Sequence, residues 1–233
     1  MSTAKSLFDN LLGQVYTLAG GQGAGGIADK AKGAWNNQSA LGKGAIAGGL
    51  LGLLLTGSGR KLVKTGAKVG GAALIGGLAY KAYEDWKAGK AAQQEAGPLA
   101  LPEPEGTAFL PADAVQVDEL SMRLVQAMVA AAKADGQVTE AERQKITTQL
   151  GLLGLDQDAE RLIAAELDAP LDPGRIAALA RSEEEAAELY TASLLSIDTD
   201  GPAERGYLAM LAARLKLDPG LVAHLHAKVA QMA

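Results

Sequence analysis

The feature that most constrains the fold is a short pattern that occurs twice in the second half of the chain. An acidic turn containing Asp135-Gly136 is followed by Glu142, and a second turn containing Asp200-Gly201 is followed by Glu204. When the two glutamates are aligned, both copies continue at helical spacing into the same exit, Leu-x-Leu-Asp, at residues 153–156 and 215–218. The sequence therefore predicts a helical domain with an internal duplication.

Residues 113–233 carry the start and stop signals of helices throughout. Thr139 is a suitable N-cap with Glu142 at the third helical position, Ser182 is a second N-cap, and Pro202 suits a first helical turn. Apolar residues recur with a helical period, and no stretch alternates as a strand does. We expect an all-α bundle of about seven helices in this region.

The two parts of the chain differ in composition. Residues 1–97 contain 21 of the 29 glycines, with 11 basic and 5 acidic side chains, whereas residues 98–233 contain 11 basic and 22 acidic ones. The basic part suits an anionic membrane surface, and the acidic part disfavours nucleic acid as a partner. The absence of cysteine excludes disulfides and thiolate metal sites.

Residues 1–26 are predicted to form an amphipathic helix and a glycine-rich linker, and residues 97–112 a Pro-rich linker. Between them, residues 27–96 contain two apolar segments, 45–55 and 69–80. Glycine recurs at every fourth position, as in Gly44, Gly48 and Gly52, which leaves a smooth face where a second helix can approach closely. This pattern predicts a glycine-zipper hairpin that associates with a membrane through residues 41–86.

Two aspects of this hairpin stay open from the sequence. Both segments are shorter than the roughly 20 residues that cross a bilayer, and lysines lie on both sides, so spanning and one-leaflet arrangements are equally compatible. The alternative is a buried or disordered Gly/Ala segment of a soluble protein. Tyr80, Tyr83 and Trp86 are typical of an interfacial aromatic anchor, but they also suit an ordinary helix end.

Five acidic residues are the candidate metal ligands: Asp135, Glu142, Asp198, Asp200 and Glu204. Side-chain oxygens without His or Cys suit Ca²⁺, Mg²⁺ or Mn²⁺. Neither turn fits an EF-hand, because the first loop position is Ala131 in one and Ser196 in the other. The alternative is that Glu142 and Glu204 cap helices without any metal.

No catalytic residues are predicted. His224 and His226 are two residues apart on one helix and so face different directions. The sequence contains no nucleophile elbow, zinc motif or dinucleotide fingerprint, and it indicates no small-molecule substrate. We therefore expect a non-enzymatic protein.

These motifs carry a family resemblance. Ala134-Asp135-Gly136 with Glu142, and Asp198-Thr199-Asp200 with Glu204, resemble the TerB-like fold of tellurite-resistance proteins. The preceding glycine-rich hairpin resembles the YebE-type bacterial inner-membrane proteins of the DUF533 group. The resemblance implies an all-helical domain with acidic residues that bind a divalent cation. We expect this domain on the cytoplasmic side of the inner membrane.

The functional expectation combines these features. We expect a non-enzymatic inner-membrane protein whose TerB-like domain binds a protein partner or a second copy of itself and also binds a divalent cation. It would act in envelope stress or in metal and tellurite stress. The alternative is a soluble, self-associating metal-binding or sensing protein. A metal-dependent hydrolase is the third and least favoured interpretation.

Overall fold

A computed structural model describes residues 71–92, 100–134, 157–197, 199 and 201–232, which we call the described residues. They form seven helices and no strand, so the prediction of an all-α fold is confirmed. The helices are α1 (Gly71–Lys87), α2 (Ala114–Ala132), α3 (Gln157–Asp168), α4 (Pro173–Ala177), α5 (Glu183–Leu195), α6 (Pro202–Leu215) and α7 (Pro219–Met232).

Helix α5 lies at the centre of the bundle. It packs against α1, α2, α4, α6 and α7, and every residue from Ala186 to Leu195 is buried. Several of these side chains are small, which lets the neighbouring helices approach closely. Three hydroxyl groups near the end of this helix donate hydrogen bonds to backbone carbonyl oxygens one turn earlier. The pairs are Thr191 to Ala187, Ser193 to Leu189 and Ser196 to Ala192.

The sequence fixes where several helices begin. The side chains of Asp113, Asp172 and Ser182 accept hydrogen bonds from the first-turn amides of α2, α4 and α5. Pro202 occupies the first turn of α6, where the missing N–H has no intrahelical partner to lose. The predicted helix starts at Ser182 and Pro202 are therefore confirmed.

Helix α1 contains most of the second apolar segment. Its side chains Leu74, Ile75, Leu78, Ala79 and Ala82 are buried, and the helix packs against α7 and α5. The sequence interpretation had assigned this segment to a separate hairpin. The same apolar surface can be covered by protein as well as by lipid, and in this structure the bundle covers it.

Residues 100–111, which we call the strap, cross over α1. Phe109 and Leu110 are buried, and Leu101 and Pro102 approach Gly77 of α1. The strap turns at Gly106, whose φ of 76° favours glycine. Part of the predicted Pro-rich linker is thus packed against the helix that precedes it.

The aromatic side chains at the end of α1 have protein neighbours. The ring centroid of Phe109 lies 5.2 Å from that of Tyr80 and 5.5 Å from that of Tyr83. Tyr83 also contacts Trp86, with ring centroids 5.6 Å apart. These rings hold the strap on α1, an arrangement that aromatic pairs favour at such separations.

Several predictions lie outside the described residues. They concern the segment 1–26, the first apolar segment, and the helix expected after Thr139. They also concern the first copy of the duplicated pattern, so the internal duplication stays a prediction. None of the helices in the described ranges has the length and apolar content needed to cross a bilayer.

Candidate functional site

The predicted metal site falls mostly outside the described residues. Asp135, Glu142, Asp198 and Asp200 lie outside them, whereas Glu204 lies inside. Within the described ranges, no group of three or more His, Cys, Asp or Glu side chains is placed to hold a metal ion. The metal site therefore stays a prediction.

Glu204 occupies the position expected of a capping residue. It lies in the first turn of α6, and its carboxylate folds back against Gly201, the N-cap, so closely that a Cβ there would collide with it. The free N–H groups and the dipole at a helix N-terminus favour a carboxylate without any metal. Beside it, Arg205 Nη1 donates to the carbonyl oxygen of Thr199 at 3.2 Å. For Glu204 this geometry favours the capping alternative.

The most highly charged buried site that the structure describes lies at the end of α1. Asp85 is buried, and three ammonium groups approach its carboxylate. Lys81 and Lys90 reach Oδ1 at 3.0 and 2.7 Å, and Lys228 reaches Oδ2 at 2.9 Å. Lys228 is itself buried, so its contact with Asp85 ties α7 to α1 in the interior.

The lysines decide the ionisation state of Asp85. Burial opposes ionisation, but the hydrogen bonds from Lys90, Lys228 and Lys81 outweigh it and hold the pKa of Asp85 well below its usual range. A buried carboxylate that carries three such bonds is a fixed charge rather than a proton carrier. Sequence reasoning did not single it out, although the four-residue spacing of Lys81 and Asp85 is a helical ion-pair signal.

His224 extends this site to the chain that leaves α1. Its Nδ1 lies 2.7 Å from the carbonyl oxygen of Gly220, and its Nε2 lies 3.0 Å from that of Lys90. Gly220 in turn leaves room for Trp86, because a Cβ there would be 3.1 Å from the indole nitrogen. The site therefore fastens the end of α1 along the length of α7.

A second buried polar site joins α3 to α4. Glu166 is buried and receives both Nη groups of Arg175, the Nη1–Oε2 distance being 3.0 Å. Lys133, at the end of α2, donates to the carbonyl oxygen of Glu166 at 2.7 Å and also to that of Ala169. A lysine in this position satisfies carbonyl groups that the end of α3 leaves free.

The third site is a buried carboxyl without a partner. Glu188 on α5 is fully buried, and neither of its oxygens has a hydrogen-bond partner among the described residues. Burial raises the pKa of Glu188 well above its usual range, and Glu185 adds to this effect, whereas Arg123 opposes it. Arg123 is engaged elsewhere, because its Nη2 donates to Glu185 at 3.0 Å. Glu188 therefore favours the neutral acid.

His226 pairs with a buried tyrosine. Its Nε2 lies 2.8 Å from the hydroxyl of Tyr190 on α5. Burial lowers the pKa of His226 and raises the pKa of Tyr190 to about 12. Both groups are therefore neutral at physiological pH, and the pair links α5 to α7 rather than forming a charged acid–base couple.

A family model described as "Protein of unknown function (DUF533)" matches residues 40–229. The chain belongs to this family. The predicted resemblance to the DUF533 group is confirmed, and the matched range extends from before the first apolar segment into α7. In this DUF533 protein the matched range thus includes both apolar segments and overlaps all seven helices of the described residues.

The chain is also similar to a protein of Yersinia enterocolitica named "Uncharacterized protein in ampR 5'region". The two are 42% identical over 101 residues, which cover 43% of this chain and 73% of the relative. No solved structure matches the chain.

Proposed function

We propose that this protein is a non-enzymatic interaction module held at the bacterial inner membrane by the apolar residues that precede α1. The observation that carries the proposal is the position of α1. This helix continues directly from the glycine-rich part of the chain, and it is built into the core of the bundle. An apolar segment before it would therefore bring a folded domain close to the membrane surface, because only residues 60–70 separate residues 44–59 from α1.

The location of α1 narrows the membrane contact to fewer residues. Because the apolar side chains of α1 are covered by α5 and α7, the uncharged residues 44–59 become the proposed anchor. This stretch is shorter than the roughly 20 residues that span a hydrocarbon core. Lys43, Arg60 and Lys61 flank it and suit anionic lipid headgroups. We therefore favour insertion into one leaflet on the cytoplasmic side.

The partners of the buried polar groups favour an interaction module rather than an enzyme. Asp85 meets three lysines, Glu166 meets Arg175, and Tyr190 meets His226, so these groups hold helices together. Groups that act on a substrate face a cleft instead. Under this proposal the functional contacts are made by the bundle surface, either with a protein partner or with a second copy.

A divalent cation and a TerB-like architecture are the finer parts of the proposal. They rest on the oxygen-rich acidic turns around Asp135 and Asp198, where Ca²⁺, Mg²⁺ or Mn²⁺ would bind. Calcium or magnesium should raise the melting temperature of the full chain, and the double variant Asp135→Asn, Asp198→Asn should lose that response. An equal melting temperature with and without the cations would limit these carboxylates to helix capping.

The membrane proposal is tested by fractionating bacterial cells that express the full chain. We expect the protein in the membrane fraction after a high-salt wash, because apolar insertion resists screening of charges. The variant Leu50→Lys, Leu53→Lys should move to the soluble fraction. Its matched control, Leu50→Met, Leu53→Met, keeps the apolar character and should stay with the membrane.

The opposite result would favour the alternative. If the unmodified chain is soluble and forms oligomers, the glycine-rich part serves self-association. The soluble metal-binding or sensing interpretation would then replace the membrane proposal.

A further inference from the structure

The strap lies in direct contact with the backbone of α1 at one residue. A Cβ at Gly76 would lie 2.6 Å from the carbonyl oxygen of Phe109, closer than real Cβ contacts come. At the adjacent Gly77 the nearest strap atoms would be 3.4 Å away, an ordinary contact. Gly76 is therefore the residue of α1 at which the observed position of the strap requires glycine.

The buried carboxyl of Glu188 reaches the same point from the other side. Its Oε1 would be 3.2 Å from a Cβ at Gly76, so α1, the strap and α5 meet there. The carbonyl oxygen of Phe109 and Oε1 of Glu188 thus both lie beside Gly76. Neither carboxyl oxygen has a hydrogen-bond partner among the described residues, so ionisation of Glu188 would bury a charge that no hydrogen bond stabilises.

The charged groups around Glu188 do not offset this. Glu184 and Glu185, on the same helix, add negative charge, and Arg123 of α2 is the cation that acts on it. Arg123 binds Glu185 through Nη2, and its buried Nε makes no hydrogen bond to Glu188. On the side of α1 and the strap, Gly76 and the carbonyl of Phe109 lie at the same point as Oε1, and neither carries a positive charge.

We propose that the strap is a pH-sensitive cover, which closes over Gly76 while Glu188 is protonated and opens when Glu188 ionises. Opening lets water solvate the carboxylate. The strap can move as a unit, because its hydrogen bonds from Gly106 to Leu110 and from Thr107 to Pro104 lie within it. Opening uncovers the glycine face of α1 together with Tyr80 and Tyr83.

The test uses the absence of cysteine from the chain. Leu110→Cys places a single buried thiol in the strap, and Leu221→Cys places one in α7, where the residue is fully buried. Each full-length variant is labelled with a thiol reagent from about pH 5 to about pH 9, across the range in which a raised carboxyl titrates. Each rate is divided by that of the same variant denatured at the same pH, which removes the titration of the thiol itself.

The two probes separate opening of the strap from unfolding of the bundle. The relative labelling of Leu110→Cys should rise by up to about tenfold per pH unit above the ordinary glutamate range, then level off at the folded pKa of Glu188. It should exceed that of Leu221→Cys throughout. Adding Glu188→Gln should make it independent of pH. A flat profile with Glu188 present, or equal labelling of both probes, would overturn the proposal.

Alanine substitutions at two adjacent glycines test whether the strap packs against α1 at Gly76. Gly76→Ala should hold the strap open at every pH and speed labelling of Leu110→Cys at least tenfold, while Leu221→Cys stays protected. Gly77→Ala, which gives α1 the same helix propensity, should leave labelling unchanged within about twofold. If the two alanine variants label alike, the strap is not a cover seated on Gly76.

Discussion

Asp85 and Glu188 are both buried carboxyl groups in the same bundle, but their surroundings shift their pKa values in opposite directions. Three lysines approach Asp85, and its pKa is held well below the usual range. Glu188 has no hydrogen-bond partner among the described residues, and its pKa is raised well above the usual range. The comparison shows that burial alone does not set a charge state, because the groups placed opposite the carboxyl decide it.

The difference also separates two roles. Asp85 joins α1 to α7 as a permanent charge, so its contribution is structural. Glu188 lies where α1, α5 and the strap meet, and it contributes best as a neutral acid. Four measurements would sharpen or break this contrast, taken from the largest expected effect to the smallest.

Asp85→Ala should give the largest loss of stability. It removes the carboxylate that Lys81, Lys90 and Lys228 share, and breaking a buried ion pair typically lowers the free energy of unfolding by about 3–5 kcal/mol. Denaturant unfolding of the full chain measures it. Glu84→Ala, at the adjacent exposed position, is the control and should change stability by about 0.5 kcal/mol or less. Similar losses for both variants would show that the lysine cluster is not structural.

Glu188→Met should act in the opposite direction. It replaces a carboxyl lacking hydrogen-bond partners with an apolar side chain of similar length, so the free energy of unfolding should rise by about 1–3 kcal/mol at pH 8. The gain should be smaller at pH 5, because there the native glutamate is already protonated. Unfolding curves at the two pH values measure the effect. A loss of stability at pH 8 would mean that Glu188 has a partner in solution.

The two carboxyls should affect opposite sides of the curve of unfolding free energy against pH, Asp85 the acidic limb and Glu188 the alkaline limb. Asp85 has a lowered pKa, so its contribution is present above the ordinary aspartate range and is lost as the pH falls toward its folded pKa. Glu188 has a raised pKa, so its contribution is present below the ordinary glutamate range and is lost as the pH rises through its folded pKa. Each limb should have a slope of up to about 1.4 kcal/mol per pH unit.

Two isosteric variants separate these limbs. Asp85→Asn should flatten the acidic limb alone, and Glu188→Gln the alkaline limb alone. The measurement is the free energy of unfolding across the pH range for both variants and the unmodified chain. If either variant changes both limbs equally, the two sites are coupled and the contrast between them fails.

Tyr190→Phe should have the smallest effect. Tyr190 lies on the same helix as Glu188, but its hydroxyl has a neutral partner in His226, 2.8 Å away. Removing one such hydrogen bond should lower the free energy of unfolding by about 1 kcal/mol. Thermal unfolding at pH 8 measures the loss. Tyr83→Phe, which loses a longer, exposed hydrogen bond to Glu183, serves as the control and should lose less.

The helices of the bundle could be predicted because their signals are local. Ser182 and Pro202 mark helix starts by their own chemistry, and the apolar period within each helix needs no knowledge of its neighbours. The environment of α1 could not be predicted in this way. An apolar helix rich in glycine and alanine suits lipid and a protein core equally, and the choice depends on α5 and α7, which follow much later in the sequence.

The polar sites were harder to predict for the same reason. Glu188 follows a run of glutamates in the first turn of α5, which in sequence is typical of a solvated helix start. It is nevertheless fully buried, beside Gly76 of α1. Asp85 meets Lys228 only after the whole chain has folded, and no spacing rule connects them. The acidic turns could be recognised because their signal is local, and the capping alternative for Glu204 came from the same local signal, its place in the first turn of α6.

The packing of α1 against α7 has a consequence for synthesis on the ribosome. The first described helix is completed by the last one, so it leaves the ribosome well before its partner exists. At typical translation rates of about 5–20 residues per second, this interval is on the order of ten seconds. During that time α1 is a nascent apolar helix beside the uncharged residues 44–59. Chaperones and the bilayer itself therefore compete for it before the bundle can close.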